Sequence, residues 1–166
     1  MPPETLAAIH DRLGRFTRAE LLSGDWGQVA AAKALEWPVR GDWGLGIQNS
    51  QALKQAGRAG CLSCCVSPAL TLEETGALSK RVPVELFAYG RLPLATVVPE
   101  GDGPEQILSS RKLFLGDKTE ALQKLGLWAL RLHFTTENVG EVVQVTERYM
   151  GRGVYQPGEF TRGKYL

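Results

Sequence analysis

Arg131 and His133 stand two positions apart in "WALRLHF", a spacing that puts both on one side of an extended strand, opposite Leu130, Leu132 and Phe134. The same alternation recurs in "VELFAY", where Glu85, Phe87 and Tyr89 oppose Val84, Leu86 and Ala88, and in "VRGDW", where Arg40 and Asp42 lie together. Parallel strands buried on both faces read as near-continuous apolar runs, so charges at alternate positions point to a sheet with one polar face. Glu85 or His133 could act there as general acid or base, with Arg131 or Arg91 stabilising a developing oxyanion. The alternative is that these charges simply neutralise one another, since a buried charge needs a partner whether or not it does chemistry. The second histidine, His10, falls on a short amphipathic helix over Glu4–Phe16, and the acids Glu100 and Asp102 of "EGDG" read as a solvated turn. No H-E-x-x-H, G-x-S-x-G, P-loop or G-x-G-x-x-G fingerprint is present.

All three cysteines fall in "CLSCC", residues 61–65. On a regular strand Cys61 and Cys65 would share a face at roughly 13 Å while Cys64 points away. A tetrahedral thiolate site needs its sulfurs within about 4 Å of one another. The four-cysteine spacing of zinc and iron–sulfur proteins is also missing, so these residues are expected to be core, with no metal and no cofactor.

Most elements that must position these side chains come in a repeat. "ELLSGD" leads into "WGQVAAAKALE", "WPVRGDWGLG" into "NSQALKQAG", "GCLSCCVSP" into "LTLEETGALSK", and "VPVELFAYG" follows. Val39, Cys61 and Val84 are spaced by about 22 residues, the length of one strand, loop and helix in a parallel sheet. Asn49 or Ser50 can cap the helix before Ala52, Thr71 and Glu74 have capping-box spacing, and Gly57 can end the preceding helix. The expected fold class is α/β, a partial TIM-barrel-like sheet with outer helices. It forms one domain over residues 1–166, with an irregular insertion at 90–110 and an extended tail at 151–166. In such folds the active site lies at the carboxyl ends of the strands, where Asp42, Tyr89 and His133 fall.

Composition narrows the function classes. Nineteen Lys and Arg against eighteen Asp and Glu give a net charge of +1, so no basic excess marks a nucleic-acid surface. No run approaches the length of a membrane span, and the N-terminus lacks a signal-peptide apolar region. A cytoplasmic location with reduced thiols and no membrane partner is expected. The tail interleaves Arg148, Arg152, Arg162 and Lys164 with Tyr149, Tyr155, Phe160 and Tyr165, a mixture that either holds single-stranded RNA or wraps the domain.

"VELFAYGRLPL", then "LRLHFTTE" and the terminal "FTRGKYL", together with "GDWGLGIQNSQAL" and "SPAL", resemble in order the motifs of the collagenase-like peptidases (peptidase family U-32), in the branch with an extra C-terminal region. The likeness runs from roughly Gly24 to Lys164. It implies a (β/α) barrel-like catalytic domain of which this chain is the second half, and a peptide substrate. The matching positions include Asp42, Asn49, Tyr89, Arg91, Glu137 and Arg162, expected to bind substrate, beside Glu85 and Arg131, expected with His133 to be catalytic. Some relatives instead carry a four-cysteine iron–sulfur cluster and support hydroxylation of RNA bases or of a quinone precursor. Here "ATVVPEGDG" follows "GRLPL" without a cysteine, and Ala69 and Gly46 replace the family's Glu and Asn. The resulting expectation is a U-32-like hydrolase or an inactive shortened homologue, with a non-catalytic RNA- or protein-binding module as the alternative. A half barrel leaves strand edges uncovered, so a homodimer or larger assembly is expected.

Overall fold

The computed structural model describes residues 3–13, 18–98 and 105–165 of the chain. Phe16, Glu100 and Asp102 lie outside the described residues. The chain is mixed α/β. Its elements in order are α1 (Pro3–Leu13), β1 (Leu21–Ser23), α2 (Trp26–Ala34), β2 (Val39–Gly41), a 3-10 turn (Trp43–Leu45), α3 (Ser50–Arg58), β3 (Cys61–Cys65), α4 (Leu72–Ala77) and β4 (Val84–Gly90). There follow β5 (Pro93–Val97), β6 (Glu105–Leu108), β7 (Lys112–Phe114), α5 (Thr119–Gln123), β8 (Ala129–His133), α6 (Val139–Tyr149) and β9 (Phe160–Thr161). No helix among the described residues is long and apolar enough to cross a membrane.

Strands β1, β2, β3, β4 and β8 pair side by side and all parallel, in the order expected of the repeat. Among the described residues the sheet is open, since β1 pairs only with β2 and β8 only with β4. Polar side chains cap α2, α3, α4 and α6, at Asn49 and at the Thr71–Glu74 pair as the sequence indicates. Asp25 accepts from Gln28 N, Asn49 from Ala52 N and Asn138 from Glu141 N, while Thr71 and Glu74 form a reciprocal capping box. Gly57 instead lies inside α3, and Gly60, at φ 103°, makes the turn into β3. The apolar side chains of α1 to α3 (Leu6, Val29, Ala32, Leu53, Ala56) pack with Val39, Cys61, Cys64, Val84 and Leu86 in one buried core.

In the seven-stranded sheet two bulges depart from the simple alternation. On β3, Val39 pairs with Cys61 but Gly41 pairs with Cys64, so three steps of β3 face two of β2. Cys61 and Cys64 therefore share a face, in place of the expected Cys61 and Cys65, because the extra residue resets the side-chain alternation. On β4, Phe87 pairs with Arg131 while Tyr89 pairs with Leu132. Neighbours in a ladder share a face, so Tyr89 leaves the face of Glu85 and Phe87 on which the sequence pattern placed it.

The last residues of β4 hold a further strand. Tyr89 and Gly90 pair antiparallel with Phe114 and Leu113 on one edge and with β8 on the other. Glu85 likewise sits between Cys65 and Ala129, so β3 and β7 occupy the same edge of β4 in succession. Gly90, at φ 121°, has no room for a side chain, because a Cβ there would collide with the His133 carbonyl oxygen. The insertion expected to be irregular contains an antiparallel hairpin, β5 with β6. Pro93 is tolerated there because it is the first residue of an edge strand. The tail contributes β9, parallel to β7, and Tyr165, which is fully buried.

Candidate functional site

The polar face is built from one or two residues per parallel strand. Leu22 of β1 pairs with Arg40 of β2, the β3 bulge turns Ser63 to the same side, and Glu85, Phe87, Arg131 and His133 continue it across β4 and β8. Glu85 is only 5% exposed, and its side chain, like that of Glu137, is almost entirely out of water. Its burial is matched by hydrogen bonds to both oxygens. Ser63 Oγ donates to Glu85 Oε1 at 2.6 Å, and Arg131 donates to Oε2 through Nε at 3.1 Å and also through Nη2. Arg131 Nη1 donates to Asp42 Oδ1 at 2.8 Å, and the Trp43 N–H reaches the same oxygen at 2.8 Å. Arg40 Nη1 donates to Ser63 Oγ at 3.0 Å, pairs with Glu20 and lies 4.7 Å over the Trp128 ring. The result is one continuous polar chain, Glu20–Arg40–Ser63–Glu85–Arg131–Asp42.

Above it opens a pocket of about 350 Å³ lined by Leu22, Asp42, Trp43, Phe87, Arg131, Leu132 and His133. It lies at the carboxyl end of β2 and β8, the end at which loops and strand termini carry chemistry in parallel sheets. Burial by itself would lower the Arg131 guanidinium. Hydrogen bonding to Glu85, and then the fields of Cys65, Glu85 and Asp42, outweigh it and raise the group. Burial pushes the Cys65 thiol up to about 12, which keeps it neutral beside the network. The His133 ring packs edge-on against Phe87 at 5.7 Å, and among the described residues neither of its nitrogens takes part in a hydrogen bond.

The structure therefore brings together Asp42, Glu85, Arg131 and His133. The remaining residues expected to bind substrate lie elsewhere and have partners there. Asn49 caps α3, and Arg91 donates to the Ser109 carbonyl at 2.7 Å and to that of Ser110, tying down the end of the β5–β6 hairpin. Arg162 pairs with Asp117 and lies 5.1 Å over Phe160, holding the tail. Tyr89 donates to Glu137 Oε1 at 3.2 Å. Glu137 also takes Lys112 at 3.0 Å and the Thr135 N–H at 2.7 Å. Burial pushes the Glu137 carboxyl up, but the Thr135 N–H, Lys112 and the Thr136 N–H outweigh it and hold the group at about 2. Arg152 pairs with Glu147, Arg148 at the end of α6 donates to the Gly153 carbonyl, and Tyr165 is buried, so much of the basic and aromatic surface of this region is engaged within the chain.

Sequence reasoning missed Ser63 and Glu20. Ser63 sits between two cysteines in an apolar run, and only the bulge turns its hydroxyl toward Glu85. Glu20 precedes β1, outside any motif. Comparison with protein-family models, with curated proteins and with solved structures gave no match in any of the three.

Two stability measurements probe these charges. Arg131→Ala strands the buried Glu85 carboxylate and is expected to lower the urea-unfolding free energy by about 3–5 kcal/mol. Pairing it with Glu85→Gln should recover much of that loss. The Glu137 carboxyl is held below its usual value of 4.5, so its contribution is present above pH 4.5 and is lost as pH falls toward 2. Unfolding midpoints followed across that window should drop more steeply for the wild type than for Glu137→Gln, and parallel curves would remove Glu137 as the cause.

Proposed function

We propose that the chain is a U-32-like hydrolase segment, its five parallel strands forming one side of a barrel, and that it binds and cleaves a peptide bond in the pocket beside His133. The observation that carries this reading is the convergence of Asp42, Arg131 and His133 on one open pocket at the carboxyl end of the parallel strands.

The geometry divides the roles. Glu85 has both oxygens engaged and lies beneath the pocket lining, which suits a residue that positions Arg131. A guanidinium carries five N–H groups. Three of those on Arg131 go to Glu85 and Asp42, and the two that remain can meet an oxyanion at the pocket wall. His133 lines the same pocket with nitrogens that have no partner among the described residues, as required of a base that takes a proton from an attacking water and returns it to the leaving amine. Trp43, Leu22 and Phe87 give the pocket an apolar wall for an adjoining side chain.

His133→Ala is expected to reduce cleavage of a gelatin or fluorogenic peptide substrate by roughly a hundredfold or more while leaving the circular dichroism spectrum unchanged. Undiminished cleavage by that variant, or no cleavage by the intact chain, would falsify the hydrolase reading. The same barrel reading carries self-association. The outer edges of β1 and β8 are unpaired among the described residues, and Leu22, Leu62 and Trp128 are about half exposed near the polar face. Light scattering at micromolar concentration should give the mass of a dimer, and a monomer at every concentration would refute that part.

A further inference from the structure

The bulge on β3 brings together two thiols that regular geometry would keep apart. Val39 and Gly41, two steps apart on β2, stand opposite Cys61 and Cys64. Two steps of extended chain measure about 6.6 Å, so the Cα atoms of the two cysteines are drawn to a similar separation. That lies near the upper end of the range of about 4.4–6.8 Å over which disulfides form. The absence of a side chain at Gly41 leaves the space the sulfurs use. A Cβ there would stand 3.0 Å from Cys64 Sγ and 3.6 Å from Cys61 Sγ. Cys65 is excluded from this pairing, because it lies across the sheet in the fields of Asp42, Glu85 and Arg131.

The two thiols are also unequal. Hydrogen bonding with Cys64 lowers Cys61, against an opposing effect of burial. The same contact, together with burial, raises Cys64. Cys61 is 6% exposed at the start of β3, whereas Cys64 is completely buried. Of the two, Cys61 is the one whose proton is held less tightly and the nearer to solvent, and Cys64 lies against it, the arrangement of an attacking and a resolving cysteine.

We propose that Cys61 and Cys64 are a redox pair, which a small peroxide closes to an intrachain disulfide across the β3 bulge. The Cys61 thiolate attacks the peroxide O–O bond, forming an S–O bond and, with hydrogen peroxide, releasing hydroxide that takes up a proton to become water. Cys64 sulfur then displaces hydroxide from the Cys61 sulfenic acid. The S–S bond forms as the S–O bond breaks, and the Cys64 proton leaves with the hydroxide as a second water. The two sulfurs are oxidised together by two electrons and the peroxide is reduced. The ring so closed encloses Ser63, the residue that joins Arg40 to Glu85, so the oxidation state is felt directly by the polar network.

The test treats the folded chain with hydrogen peroxide, then denatures it, blocks free thiols with iodoacetamide and analyses the peptide spanning Ala59–Lys80 by mass spectrometry. The expected product, in the wild type and in Cys65→Ser, lacks two hydrogens, carries no label on Cys61 or Cys64, and regains both labels after dithiothreitol. Cys61→Ser should lose this product entirely. Sulfinic or sulfonic acids as the main products, a disulfide linking Cys64 to Cys65, or oxidation seen only after unfolding would each overturn the proposal.

Discussion

Placing the carboxylate of Glu85 inside the protein obliges the surrounding strands to answer it. A carboxylate removed from water without compensation is strongly destabilising, and here each oxygen is met from a different strand: Ser63 of β3 on one side and Arg131 of β8 on the other. Arg131 in turn requires a second acid, and finds it in Asp42, at the end of β2. Ser63 is itself fixed by Arg40. The parallel register of β2, β3, β4 and β8 is thereby tied by a polar chain as well as by backbone ladders. A slip of one residue in any of these strands would turn a charged group or the Ser63 hydroxyl into the apolar core on the helix side.

The same arrangement determines what remains for function. Glu85, which the sequence offered as a catalytic acid, has both oxygens engaged by neighbouring strands. Arg131, which keeps two N–H groups unengaged among the described residues, and His133 border the pocket. A rigid buried pair beneath a more open one is the arrangement by which a protein orients a reacting group, because the lower layer removes rotamer freedom from the upper.

Much of this was legible from residue order alone. The interval of about 22 residues gave the parallel repeat, Asn49 and the Thr71–Glu74 pair gave two helix starts, and the alternation in "WALRLHF" put Arg131 and His133 on one face. What escaped was set by tertiary pairing. Nothing in "CLSCC" announces that β3 takes three steps against two of β2, and nothing in "LFAYG" announces that Tyr89 changes sides. Residues such as Arg91, Glu137 and Arg162 carry the polar character of binding residues, yet the carbonyls, lysine and aspartate that engage them lie far along the chain, where no local pattern can reveal them.

The two irregular strands are neighbours, and their bulges have complementary consequences. The bulge on β3 turns Ser63 toward Glu85 and gathers Cys61 and Cys64 on the opposite face over Gly41. The shift on β4 moves Tyr89 off the polar face, and Tyr89 and Gly90 accept β7 on the edge that β3 has vacated. Without the first, Glu85 would lose one of its two partners. Without the second, a bulky phenol would stand on the face that carries His133 and Arg131. A bulge costs ladder hydrogen bonds and strains the sheet locally, so its position marks where side-chain direction matters more than regular pairing. In this chain both positions border the same buried carboxylate, and the irregularity of the sheet is a consequence of housing that charge.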